Sequence, residues 1–288
     1  MKPRGPYSLA LSGRFASDPT RRVGSGVLTC LLPGGERAGA QQLPDGALLL
    51  RAESEEGFDR LRFVLGLDDD HSPFLERFRD DELLAGPIKH LRGLRPLRTA
   101  TVTHALLRAI VGQLITSREA RAIEWRLLHA TTEPVGKLVA PPLPHHFARF
   151  APAELYRFRL PARKATALVR ICRTFDPERL RRLPPDAAAK RLEQERGIGP
   201  YSVGVVWTQG LGRWDRGIVG DLGLLKICSA IEGRWVEPED TARMLSRYEE
   251  WAGLACVYLM AGAGRGLVPV KLSQPALRRE RVRARYAA

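Results

Sequence analysis

The chain is poor in cysteine and histidine and has no long apolar run, and each shortage excludes a class of protein. Four cysteines in 288 residues, Cys30, Cys172, Cys228 and Cys256, form no CxxC pair and no His/Cys cluster. That excludes zinc-finger and iron-sulfur frameworks on ligand spacing. They read as reduced, mostly buried thiols. Six histidines supply one adjacent pair, His145-His146 in a proline-bounded loop, so no metal site is expected. No stretch of about 18 apolar residues occurs, and the opening MKPRGPYSLALSG carries too short an apolar segment for a signal peptide. The expectation is a soluble, cytoplasmic protein with no membrane contact. Internal repeats and low-complexity segments are also lacking.

Positive charge is what the chain has in excess. It carries 46 Lys+Arg against 32 Asp+Glu, a formal charge of +14, which points to a polyanionic partner. The excess is uneven: residues 1–74 hold 9 basic and 10 acidic side chains, whereas residues 75–288 hold 37 and 22, for net charges of −1 and +15. Arg makes up 39 of the 46, and a guanidinium suits bidentate phosphate contact, although a G- and C-rich genome would give the same bias. Apart from the short tail 275-PALRRERVRARY-286, there is no basic amphipathic helix to favour a membrane surface. Nucleic acid is the expected partner, with the nucleoid as the place to meet it.

Texture divides the chain at about residue 74. Before it, SLALSGRF, GVLTCLLPGG and GALLLRAES read as strands between Gly/Pro turns, followed by a helix with Phe58, Leu61 and Leu65 on one face. This is an N-terminal α+β lobe with an antiparallel sheet, residues 1–74. Residues 75–288 read as helices with visible caps. Thr101 or Thr103, Ser117, Asp176, Asp186, Asp221 and Glu237 stand at helix starts, and 254-LACVYLMAG-262 reads as a buried apolar helix. The expected fold class is α+β: the small lobe, then a mostly helical core of two subdomains, one over about 100–208 and the other made of 75–99 with 209–288.

The segment 195-ERGIGPYSVGVVWTQG-210 places Gly197, Ile198 and Gly199 between two helical stretches. Glycine takes φ > 0 and lets a ligand approach, while the amides at the second helix's start and its dipole favour an anion. An ordinary helix-helix turn with a glycine C-cap is the competing reading.

Leu192, the Gly-Ile-Gly hairpin and a later aspartate resemble the helix-hairpin-helix DNA glycosylases. Two further stretches agree in order and spacing: 108-RAIVGQLIT-116 resembles the strand-inserting segment of the bacterial 3-methyladenine DNA glycosylase II branch, and 160-LPARKATALVRI-171 resembles the helix before its hairpin. The resemblance covers residues 75–262, and the N-terminal lobe fits the extra lobe of that branch.

What the resemblance implies is a DNA repair enzyme of base excision repair. It would flip a damaged base, an alkylated purine such as 3-methyladenine, out of duplex DNA and hydrolyse its N-glycosidic bond to leave an abasic site. Asp221 would be the catalytic carboxylate that stabilises the positive sugar, with Asp215 its nearest competitor. Gly197, Ile198 and Gly199 would grip the DNA, with Leu114 as the inserted wedge and Gln113 beside it on the orphaned base or backbone. Tyr201, Val205, Trp207 and Tyr258 would line the base pocket, with Trp125 a further aromatic to consider; core packing is the competing role for the large aromatics.

Members that also cut the strand carry a lysine where Tyr201 stands. Tyrosine cannot form a Schiff base, so no lyase activity is expected. The resemblance implies no cofactor beyond a monovalent cation at the hairpin carbonyls, and a monomer is expected. The pocket departs from the family's aromatic lining at Val205 and at 258-YLMAG-262, which leaves oxidised or deaminated bases, or a non-catalytic DNA-binding protein, as alternatives.

Overall fold

The computed structural model describes residues 1–14 and 16–270; the arginine-rich tail singled out above lies outside the described residues. Two compact units form. The first holds Met1–Ser72 and Gly93–Arg213; the second holds Pro73–Arg92 and the chain from Trp214.

The first unit opens with a short helix, α1 (Leu9–Gly13), where the sequence pattern predicts a strand. The side chain of Ser8 accepts the Leu11 N-H as an N-cap, and this local bond outweighs the alternation of LALSG. Strands β1 (Arg21–Gly24), β2 (Val27–Leu31), β3 (Arg37–Gln42) and β4 (Leu48–Ala52) make an antiparallel sheet in sequential order. β2 and β4 fall within the expected strands. β1 and β3 are too polar and too rich in glycine and alanine to stand out alone, and pairing supplies what their composition does not.

Helix α2 (Glu55–Leu65) is capped by the Ser54 hydroxyl and closed by Gly66 at positive φ. It lays Leu61, Val64 and Leu65 on a core shared with Leu9, Leu28, Cys30, Ala40 and Leu48. Helices α3 (Ser72–Arg77) and α4 (Ala85–Leu91) follow.

The helical part of the first unit contains α5 (Val102–Gly112), α6 (Ser117–Thr131), α7 (Pro144–Ala148), α8 (Ala162–Thr174), α9 (Pro185–Glu193) and α10 (Pro200–Val205). Thr101 caps α5. Thr116, rather than Ser117, caps α6, because Glu119 three residues on completes a capping box with it. Helix α10 runs on as a π-helical turn over Val206–Leu211. Gly210 fits against α5 there, where an added Cβ would meet that of Ala105 at 2.9 Å.

In the second unit, α11 (Leu222–Glu232), α12 (Pro238–Ser246) and α13 (Ala252–Ala263) pack with α3 and α4. An aromatic cluster of Phe74, Phe78, Tyr248, Trp251 and Tyr258 fills the interior. All four cysteines are buried and unpaired; burial pushes the Cys256 thiol up to about 12. No helix among the described residues is long and apolar enough to cross a membrane.

Candidate DNA-binding and catalytic site

The connection between α5 and α6 is short, residues 113–116, and its second residue is unusual. Leu114 has φ 57° and is 99% exposed. Left-handed backbone costs a non-glycine residue about 1–2 kcal/mol, and an exposed leucine recovers nothing from burial. Burial does not account for a large apolar side chain held out in a strained conformation.

Its neighbours hold it there. The Nζ of Lys164, on α8, donates to the carbonyls of Val111 at 2.9 Å and Gln113 at 2.6 Å. These belong to the end of α5, where carbonyls lack helical partners and a cation is favoured by the helix dipole. Burial pushes the Lys164 ammonium below its ordinary pKa. The Gln113 side chain reaches the hairpin: its Nε2 donates to the Gly197 carbonyl at 2.9 Å and to the Ser202 Oγ at 2.8 Å. The Leu114 loop is thereby tied to the hairpin.

Gly197 has φ +90°, which answers why a glycine stands there. The hairpin backs onto α8, an added Cβ at Gly197 lying 3.5 Å from that of Ala167. Ile198 is buried, and its N-H donates to the Glu195 carbonyl at 3.0 Å. Gly199 is the extended N-cap residue of α10, with open space where a Cβ would stand, and Pro200 occupies the first helical position. Arg170 supports the hairpin from behind, donating to the Arg196 carbonyl at 2.6 Å. Helix α9 ends at Glu193, so Gly197 belongs to the hairpin turn and is not the C′ glycine of α9.

Tyr201 is half-buried in the first turn of α10, its hydroxyl against Gly112. The other aromatics proposed for a base pocket lie elsewhere. Trp207 has no exposed surface and packs under the Arg213 guanidinium, 5.0 Å from the ring centre. Val205 is buried. Tyr258, in the second unit, is also fully buried, its ring 5.2 Å from Phe74 and its hydroxyl donating to the Leu91 carbonyl at 3.2 Å. As they stand, Trp207 and Tyr258 present no face to a ligand. Trp125 is half-exposed on α6 and stacks on His129 at 3.9 Å.

Asp221, in the second unit, caps α11. Its Oδ1 accepts the N-H groups of Gly223 at 2.7 Å and Leu224 at 3.2 Å. Burial pushes the carboxyl up from its ordinary pKa, against the two amides and nearby Lys226, which favour the charged form. Asp215 is exposed.

One cluster has the spacing of a metal site. Ligand atoms of Asp18, His104 and Glu124 lie within 4.8 Å of one another. Guanidinium groups already neutralise it: Arg108 reaches Asp18 at 2.5 Å and Glu124 at 2.8 Å, and Arg21 reaches Asp18 at 2.9 Å. Burial would raise the Asp18 carboxyl, but Arg21 and Arg108 outweigh it and hold it below the usual range. The cluster is a buried ion network joining the sheet lobe to α5 and α6.

Sequence reasoning gave no role to Lys164 or Ser202. The available signal was position: Lys164 falls on the stripe of Leu168 and Ile171, which are buried, and a lysine on a core stripe needs acceptors.

No family model matches the chain. A curated relative, the DNA-3-methyladenine glycosylase of Bacillus subtilis (strain 168), is 26% identical over 205 residues, 67% of each chain. A solved 3-methyladenine DNA-glycosylase from Archaeoglobus fulgidus superposes with a TM-score of 0.77 at 20% identity, covering 91% of this chain and 97% of that one. An 8-oxoguanine glycosylase/lyase from Clostridium acetobutylicum, in complex with double-stranded DNA, gives 0.74 at 15% identity over 92% and 94%. The chain has the fold of the helix-hairpin-helix DNA glycosylases, in agreement with the resemblance drawn from its motifs.

Proposed function

We propose that the protein is a monofunctional DNA glycosylase that removes alkylated purines such as 3-methyladenine from duplex DNA. The observation that carries this reading is Leu114, exposed at positive φ and tied through Gln113 to the hairpin. Taking a base out of the stack costs a few kcal/mol, and an apolar side chain left in the gap offsets part of it. The hairpin backbone and the amides at the start of α10 hold phosphate, while the basic surplus beyond residue 74 strengthens the hold on the backbone.

Cleavage of the N-glycosidic bond leaves positive charge on the sugar. Asp221, fixed by two amides, is the carboxylate that stabilises it, and water completes the hydrolysis. Position 201 is tyrosine, so no covalent sugar adduct forms there. Backbone carbonyls of the hairpin are the donors a monovalent cation would use beside a phosphate; that of Gly197 already accepts from Gln113, and no step is assigned to the ion. The working location is the cytoplasm, on the nucleoid.

The likeness to an 8-oxoguanine glycosylase/lyase, together with the buried Trp207 and Tyr258, favours oxidised guanine as the second reading. Base release from methylated duplex, compared between wild type and Asp221→Asn at equal DNA occupancy, tests the first. Release lost in a variant that still binds is the expected result. No release from methylated DNA, with release from an 8-oxoguanine duplex, selects the second.

A further inference from the structure

Resting on that reading, we propose that Lys164 is a positioning residue for the wedge: with Gln113 it forms a clamp that holds Leu114 in its left-handed conformation and couples it to the hairpin. Leu114 cannot hold itself there. Its backbone conformation is disfavoured, and its exposed side chain touches nothing that would fix it. On its C-terminal side the capping box of Thr116 and Glu119 fixes only the start of α6; the residues on its N-terminal side supply the rest of the constraint, and both reaches of the clamp end there. The Lys164 Nζ takes the carbonyls of Val111 and Gln113, so the peptide leading into Leu114 is fixed on its oxygen side. The Gln113 amide takes the Gly197 carbonyl and the Ser202 hydroxyl, so the same residue is fixed to the hairpin through its side chain.

Two consequences follow for DNA. A wedge that is pre-set loses little conformational freedom when it enters the duplex. A wedge bonded to the hairpin enters in register with the phosphates the hairpin holds, since a shift of one must be carried by the other. A simpler role for Lys164 is to cap the C-terminus of α5. The two roles differ in what they predict: a cap contributes stability whatever stands at position 114, whereas a clamp matters to DNA only while Leu114 is present.

The test is a double-mutant cycle on the ratio of affinities for a duplex carrying a tetrahydrofuran abasic analogue and for the matching undamaged duplex. Wild type, Lys164→Met, Leu114→Ala and the double variant are compared, with thermal melting of each. The expected result is that Lys164→Met lowers the ratio about fivefold, the scale of coupling between residues in one network, and has no further effect once Leu114 is alanine. An equal loss in both backgrounds, or a lower melting temperature with the ratio intact, overturns the clamp and leaves the glycosylase reading standing. If Leu114→Ala itself leaves the ratio unchanged, the wedge reading falls and the clamp with it. Gln113→Glu turns the donor facing Gly197 into an acceptor, repeats the cycle from the other end, and replaces Lys164→Met if that variant does not fold.

Discussion

The Tyr201 hydroxyl rests on the Cα of Gly112: a methyl group on that carbon would lie 2.5 Å from the oxygen. The first turn of α10 and the last turn of α5 thus meet at the one residue of α5 without a side chain at that face. Gly112→Ala is expected to displace Tyr201 while the helix gains propensity of about 1 kcal/mol from the alanine. Base release should fall by more than the melting temperature. Unchanged kinetics would show that Tyr201 has no part in the site.

Leu114→Gly separates strain from function. Glycine accepts positive φ without penalty, so the variant should be at least as stable as wild type, by up to about 1 kcal/mol, and should bind lesion duplex more weakly. Denaturant unfolding and titration with the abasic duplex check the two halves. A variant that unfolds more easily would mark Leu114 as part of the core.

The pKa of Asp221 is raised by burial, and the sign of its effect on stability follows. A carboxyl whose folded pKa lies above its unfolded value binds more protons when folded, so its contribution is most favourable at low pH and is lost as pH rises through the folded pKa. At neutral pH the charge therefore costs stability. Asp221→Asn keeps an oxygen for the Gly223 and Leu224 amides and removes that charge, so it should melt no lower than wild type at pH 7 while base release is lost. The acid limb of the wild-type rate profile should lie above the ordinary carboxylate range. A variant that melts well below wild type at pH 7 would contradict this account.

Borohydride reduction during turnover should trap no enzyme-DNA adduct, because no amine follows the hairpin at position 201. Tyr201→Lys tests whether position alone confers the chemistry. An adduct with the wild-type protein would require another amine at the sugar.

Trp207→Ala should cost about 3–5 kcal/mol of stability by opening a cavity in a fully buried position, without a selective change in which bases are released. A stable variant with altered base preference would return Trp207 to the pocket. Thermal melting beside release assays on methylated and 8-oxoguanine duplexes distinguishes the two.

Much of the architecture was legible in the sequence. Helix starts carry their signals locally: Thr101 and Asp221 each cap the helix that follows, because capping involves only the next three residues. The Gly-Ile-Gly hairpin was legible for the same reason, positive φ at Gly197 being a property of a single residue. Strands β1 and β3 were not, since what makes them strands is their partner. Nor was α1, where one serine hydroxyl decided against alternation.

The sequence by itself determined the surplus of positive charge, the lack of a cysteine ligand pattern and the order of the three motifs, all of them properties of composition or of short spacing. Tertiary structure alone decided that Lys164, 50 residues beyond Leu114, holds the Leu114 loop by its carbonyls, that the Gln113 amide bonds to the hairpin, and that Trp207 and Tyr258 are core. The reason is physical. A hydrogen bond across the fold and the burial of a ring depend on which surfaces meet, and that is settled only when the whole chain has packed.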